Sequence, residues 1–273
     1  QMDLNIILYG VASIFYLLVG GKIVSTFKKR GDQAPMWSLP VIAAAVVAHF
    51  WVLQSNIFCA PETILVTFGN SVSAMCFFST LILFFGALYS RVHALYGIIL
   101  IVAGFGIWSP LLFPSEAQPI VGSTFGFRLH IAFGLLAYSF MLMSVVQAVL
   151  MGILDSRLKS HAALDEPEGI VASMPNLMTM EKILFRVILA CWVVLSLTIL
   201  TGMVSTAHYF DAILAFDHKT VLTILSWTVF GILLLGRKLL GWRSKKALTI
   251  FWIAVALQVI AFFAYRFVLD VLQ

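Results

Sequence analysis

Charge is what this sequence has least of. Only 11% of its 273 residues are Asp, Glu, Lys or Arg, while 62% are hydrophobic, and the mean hydropathy is +1.03. Soluble domains carry roughly 25% charged residues. A chain this poor in charge cannot coat itself with a polar surface, so it is an integral membrane protein. Cysteine is scarce too. Cys59, Cys76 and Cys191 are far apart and form no C-x-x-C. That excludes thioredoxin-like dithiol chemistry and covalent c-type haem attachment within this chain. The three read as small apolar fillers. There is no H-E-x-x-H, no phosphate-binding loop, no nucleophile–base pair and no carboxylate dyad in the apolar runs, so no enzyme is indicated. No internal repeat marks the inverted halves common in secondary transporters. No basic segment leads the first apolar run and no A-x-A site follows it, so a cleaved signal is not expected; Met2, preceded by Gln1, reads as the native start.

What is present is a series of apolar runs of spanning length. A span needs ~20 residues, and the runs read as eight helices over about 5–27, 37–55, 70–90, 94–112, 127–154, 183–206, 217–236 and 247–269. Breakers punctuate this plan: Pro35 and Pro40 at the second helix start, Pro61 in the next loop, and Pro110, Pro114 and Pro119 after the fourth. The expected fold is an all-α, polytopic transmembrane bundle, and residues 1–273 form a single transmembrane domain. No loop is long enough for a separate soluble unit.

The cations orient the bundle. Fourteen of the seventeen Lys and Arg fall on one side, in the clusters Lys28-Lys29-Arg30, Arg237-Lys238 and Arg243 to Lys246 and at Lys22, Arg91, Arg157, Lys159, Lys182 and Arg186. Arg128, Lys219 and Arg266 alone fall on the other. The positive-inside rule then puts both termini outside, in the periplasm of a bacterial inner membrane. The net charge of +5 points to no nucleic acid, because membrane sorting confines these cations to loops. Lipid is the certain partner.

Four histidines, His49, His130, His208 and His218, fall at the outer third of the spans or just beyond, while His93 and His161 fall in inner loops. Ionisable side chains are costly in a bilayer, so a layer of them is a functional-site hypothesis. A helix–helix hydrogen bond is the plain structural alternative for each one. Zinc could use three or four imidazoles, but catalytic zinc is usually accompanied by a base such as Glu, and outer carboxylates are few. A b-type haem, bound non-covalently in an apolar pocket by two imidazoles, suits the setting better. His130 and His218 lie at matching depths at the starts of helices that both run inward. Arg128 and Lys219 flank them and could meet haem propionates, or could serve as interfacial anchors. Residues two apart on a helix are about 200° apart, so Arg128 shares a face with His130 only if the helix begins near that point.

The stretch Phe216-Asp217-His218-Lys219-Thr220, running on to Trp227, Gly236-Arg237-Lys238 and Gly241-Trp242-Arg243, resembles the W-D-P-K-E…W segment and basic Gly-Trp loop of the cytochrome c assembly family, of CcsA and CcmC type. Leu129-His130 with Ala132 to Tyr138 is similar to that family's helix beginning with a histidine. Thr179-Met180-Glu181-Lys182, the eight spans and the small loops look most like the YpjD/HemX branch. The resemblance implies a haem-handling protein with outer histidines as ligands, and ranks His130 and His218 as the axial pair above His49 and His208. One feature departs from it. The family's tryptophan-rich outer loop has no counterpart, because outer loops 113–126 and 207–216 contain no Trp. Haem binding or sensing is therefore the expectation, ahead of delivery to an apocytochrome. Two other readings stand beside it. In a membrane adaptor or regulator, the histidines are structural and a protein partner docks on 155–182 and 237–246. An electron-carrying cytochrome b would need inner-half histidines, which are missing.

Overall fold

The computed structural model describes residues 2–26, 34–58, 63–89, 94–115, 120, 123–159, 174–210, 217–264 and 267–268. Nine α-helices cover most of these. They are α1 (Met2–Thr26), α2 (Ser38–Ile57), α3 (Phe68–Tyr89), α4 (Ala94–Gly106), α5 (Ser109–Leu112), α6 (Phe125–Lys159), α7 (Leu177–Phe210), α8 (His218–Leu240) and α9 (Ser244–Val259). A π-helical turn, Ile260–Ala264, continues α9. Among the described residues, eight stretches are long and apolar enough to cross a membrane. Large apolar side chains such as Ile7, Leu18, Val47, Leu200 and Val204 stand exposed on the helix flanks. Water does not tolerate that much apolar surface, whereas lipid requires it.

The fourth span is broken, and Pro110 explains the break. It has no N–H to give the helix, so α4 ends at Gly106 and α5 restarts at Ser109. The Ser109 hydroxyl meets the freed backbone, lying 2.7 Å from the carbonyls of Gly106 and Gly69. α6 and α7 hold 35 and 34 residues. At ~1.5 Å per residue each is longer than the ~30 Å hydrocarbon layer, so both extend past the apolar runs that mark them in the sequence.

The helices pack as two groups. α1 lies against α2 and α4, with α3 between α2 and α4; α6 packs most extensively on α7, which meets α8, which meets α9. α3 and α4 join the groups through α6. Between the first group's helices lies a polar seam. The His49 imidazole is fully buried, with Nδ1 3.3 Å from Tyr16 Oη and Nε2 3.0 Å from Ser73 Oγ. Tyr16 Oη also lies 3.3 Å from Thr80 Oγ1. In lipid such bonds knit helices, contributing about 0.6 kcal/mol each on average.

At the end of the bundle where α6 and α8 begin, two connections meet. Ile64 and Ile120 form an isolated antiparallel bridge, with N–H to carbonyl distances of 3.0 and 2.9 Å. Ile64 is buried, and Val66 beyond it lies over the second helix group. The described cations other than Arg128 and Lys219 sit at the opposite end of the helices.

Candidate functional site

A cavity of about 290 Å³ opens inside the second group, under Val66. α6 lines it with Phe127, His130, Ile131, Gly134, Leu135 and Tyr138, a three-and-four spacing that is one face of a helix. α7 gives Leu195, Thr198, Ile199, Gly202, Met203 and Ser205, largely the same repeat. α8 gives Asp217, Lys219, Thr220, Thr223 and Ile224, and the last span adds Gln258 and Phe262. The walls are mostly apolar, and the charged groups lie where α8 begins.

The start of α8 is fixed by a side-chain cap. The Thr220 N–H donates to Asp217 Oδ1 at 2.7 Å, and Asp217 itself has extended backbone. Partial burial alone would raise its carboxyl; the Thr220 bonds and the Lys219 charge outweigh that and hold it below the usual carboxylate range. The Lys219 ammonium lies 5.2 Å from the Phe262 ring centre. At the far end of α8, Gly241 takes the left-handed backbone (φ 65°) and ends the helix.

His130 is the principal polar group on the wall. Its Nδ1 lies 2.8 Å from the Thr198 carbonyl oxygen. A carbonyl only accepts, so Nδ1 carries the proton, and in the neutral ring Nε2 is left with an open lone pair. An Nδ1–H held by a carbonyl is how metal-ligating histidines are oriented, because it fixes both tautomer and ring plane. Gly202 makes the room: a Cβ there would lie 2.9 Å from His130 Cε1 and 3.1 Å from Nδ1.

The walls are pinned from outside the cavity. Trp192 of α7 and Trp227 of α8 stack with centres 5.3 Å apart and planes at 16°. Each indole N–H is used: Trp192 Nε1 donates to the Trp227 carbonyl at 3.1 Å, and Trp227 Nε1 to Ser196 Oγ at 2.8 Å. Ser226 Oγ donates to the Ala254 carbonyl at 2.8 Å, joining α8 to α9.

The structure sets His49 and His130 in different helix groups. His130 and Lys219 face the cavity. His218, the first residue of α8, is exposed and is not among the lining residues, although both its neighbours are. His49 is committed at both nitrogens in the other helix group. The backbone of His208 belongs to α7, but its side chain lies outside the described residues, as do Cys59, His93, His161 and residues 160–173 of the 155–182 connection. Arg128 is not among the lining residues. Its Nε donates to Ser123 Oγ at 3.1 Å and its guanidinium lies 6.0 Å from the Phe58 ring centre. Since α6 begins at Phe125, the 200° offset separates Arg128 from His130. Among the described residues, no three His, Cys, Asp or Glu side chains gather as a metal site.

Sequence reasoning missed Thr198, Gly202, Ser205, Tyr138 and Gln258. Gln258 alone gave a signal, as a strongly polar side chain amid the apolar run of the last span.

For haem, the fit is partial but chemically coherent. One imidazole offers an open Nε2, apolar walls surround it, and Lys219 lies among the charged groups where α8 begins. Ligand sites span roughly 300–1,000 Å³, and this cavity, at about 290 Å³, lies at the lower edge, too small to enclose a whole tetrapyrrole.

Comparison with known proteins agrees on the family. The family described as "Cytochrome C assembly protein" matches residues 43–273. The chain is similar to the "Inner membrane protein YpjD" of Escherichia coli K12, at 27% identity over 239 residues, which cover 84% of this chain and 85% of that protein. It is also similar to an "Uncharacterized 28.8 kDa protein in nifR3-like 5'region" of Azospirillum brasilense. That match is 31% identical over 144 residues, 53% of this chain and 52% of that one.

Proposed function

This chain belongs to the cytochrome C assembly protein family, and on that premise we propose that it binds haem b non-covalently at the outer leaflet of a bacterial inner membrane, to handle or sense it. The observation that carries the reading is the His130–Thr198 bond, which leaves an imidazole lone pair open to the cavity. Haem bound there would supply an iron centre for His130 to ligate. The chain's own residues do the rest. Thr198 holds the tautomer, Gly202 leaves room for the ring, the apolar faces of α6 and α7 exclude water, and Lys219 offers charge to a propionate.

His218 is the second ligand of the proposed pair, at the mouth, where it is exposed beside two lining residues. A ligand there suits haem that enters and leaves. Handling or sensing is favoured over delivery because segments 113–126 and 207–216 carry no tryptophan platform. The inner-membrane location draws support from the similar E. coli protein's name, and the outer position from the cation asymmetry.

The test is to add haem to the purified, detergent-solubilised protein. A Soret band that shifts from the free-haem position to a six- or five-coordinate histidine form is expected; a spectrum unchanged from that of free haem overturns the reading. A reporter enzyme fused after Gln273 should be active on the periplasmic side.

A second reading has one observation behind it. His49 is wholly buried and hydrogen-bonded as a structural histidine would be. If His130 were also structural, the working surface would be the basic end, where Arg237 pairs with Glu181 and Arg243 reaches the same carboxylate at 3.8 Å. Capture of a partner that depends on 155–182 or 237–246, with no haem bound, would favour it.

A further inference from the structure

One feature of the cavity is not used by haem. Gln258 is 4% exposed and Ser205 is 7% exposed. Gln258 Oε1 and Ser205 Oγ are the two buried side-chain polar atoms without a hydrogen-bond partner among the described residues, and both residues line this cavity. Two orphans in one place are unusual, because a buried polar atom left unpaired costs about 1–3 kcal/mol.

The orientation of the Gln258 amide follows from its neighbour. The Tyr138 hydroxyl donates to the Gln258 backbone carbonyl at 3.0 Å, so it needs a donor in return. Gln258 Nε2 supplies it, also at 3.0 Å. The closed pair leaves Oε1 as a buried acceptor with no partner among the described residues, on a residue that lines the cavity. Gln258 also sits just before the π-helical turn Ile260–Ala264, which carries Phe262 into the same wall. Single π turns inside helices recur at functional sites.

A fixed acceptor selects a donor. The hydrocarbon edge of haem has no N–H or O–H. Ionised lipid phosphates and carboxylates are acceptors themselves and would be repelled. A neutral, flat amphiphile bearing ring hydroxyls fits. The cavity size suits one ring with the start of a chain, the walls are apolar and partly aromatic, and His130 Nε2 offers a second acceptor from another helix.

We propose that this cavity binds the reduced, dihydroxy form of a membrane quinone, with a ring hydroxyl donated to Gln258 Oε1. The claim is one of binding, with no electron transfer. It does not rest on haem: the two ligands would compete for His130, but Gln258 matters to the diol alone.

The test uses haem-free full-length protein in nanodiscs of neutral lipid. The probes are a short-chain hydroquinone and its dimethyl ether, which has the same ring and no donor, each titrated by ligand-induced thermal shift. The diol should bind roughly threefold to tenfold tighter than the ether, the range one net hydrogen bond allows. Gln258→Leu should erase that preference, and Gln258→Glu, which keeps an acceptor, should retain it. Equal binding of diol and ether to the unaltered protein overturns the proposal even if no variant folds. A preference that survives in folded Gln258→Leu overturns it too. If haem fails to bind and the diol preference holds, the haem reading alone falls.

Discussion

Gly202 of α7 lies directly against the imidazole of His130, so close that a single methyl group would strike Cε1 at 2.9 Å. The first prediction follows. Gly202→Ala should displace the ring, break the bond to the Thr198 carbonyl, and weaken haem binding at least tenfold. Gly152→Ala, on the same helix as His130 but outside the cavity, is the control, since its Cβ would meet nothing within 4 Å. Both changes add helix propensity, roughly 1 kcal/mol each. Haem titration alongside thermal unfolding should therefore separate a functional loss in the first from near neutrality in the second.

His49 should behave in the opposite way. Its ring is bonded at both nitrogens and lies outside the cavity. His49→Leu removes the bonds but keeps volume, and should destabilise the fold by about 1–3 kcal/mol, the range for leaving buried partners unsatisfied. The haem spectrum of the folded fraction should not change. A loss of the spectrum at intact stability would make His49 a ligand.

The stacked Trp192 and Trp227 should show which interactions hold α8 to the cavity wall. Trp227→Phe keeps an aromatic face but loses the bond to Ser196 Oγ, and should cost about 1 kcal/mol. Trp227→Ala should cost about 3 kcal/mol, the low end of the range for deleting a large aromatic, because the pair is only half-buried. Thermal unfolding of both variants in one detergent checks the order.

Asp217 gives a pH dependence with a definite sign. Its carboxyl is held below the ordinary range in the folded chain. A depressed folded pKa contributes stability that is present above the unfolded value, near 3.9, and lost as pH falls through the folded value. Asp217→Ala, which removes the cap, should lower stability at neutral pH by about 1 kcal/mol. The melting temperatures of the two proteins should draw together as pH falls below the unfolded value and converge once it has passed the lower, folded value. A gap that persists in acid would mean that the cap is not electrostatic.

Much of the architecture was legible because hydropathy records lipid contact directly. The eight spans were read in the right places. Their ends were not: the run read as 183–206 is the apolar middle of Leu177–Phe210, and the run read as 247–269 gives way to a π turn at Ile260. Helices continue through the headgroup region, where hydropathy no longer marks them. The site was legible only residue by residue. His130 stood out as an ionisable group near a helix start, and Lys219 as a rare cation at that end. What the sequence could not show is rotation. His49 and His130 share a predicted depth, but their helices turn them into different seams, one closed by Tyr16 and Ser73 and the other open. Thr198 and Gly202 are ordinary intramembrane residues until α7 is set against α6, so the bond that prepares His130 is a product of packing.

The central claim is that His130 holds haem through Nε2. The direct measurement is the absorption spectrum of haem-loaded protein, unaltered and as His130→Ala, His218→Ala and His49→Leu, each shown to be folded. The account predicts that His130→Ala loses the Soret band or shifts it to that of free haem. His218→Ala should change coordination or exchange rate while haem is retained, and His49→Leu should leave the spectrum alone. A His130→Ala protein with an unaltered spectrum would contradict the account.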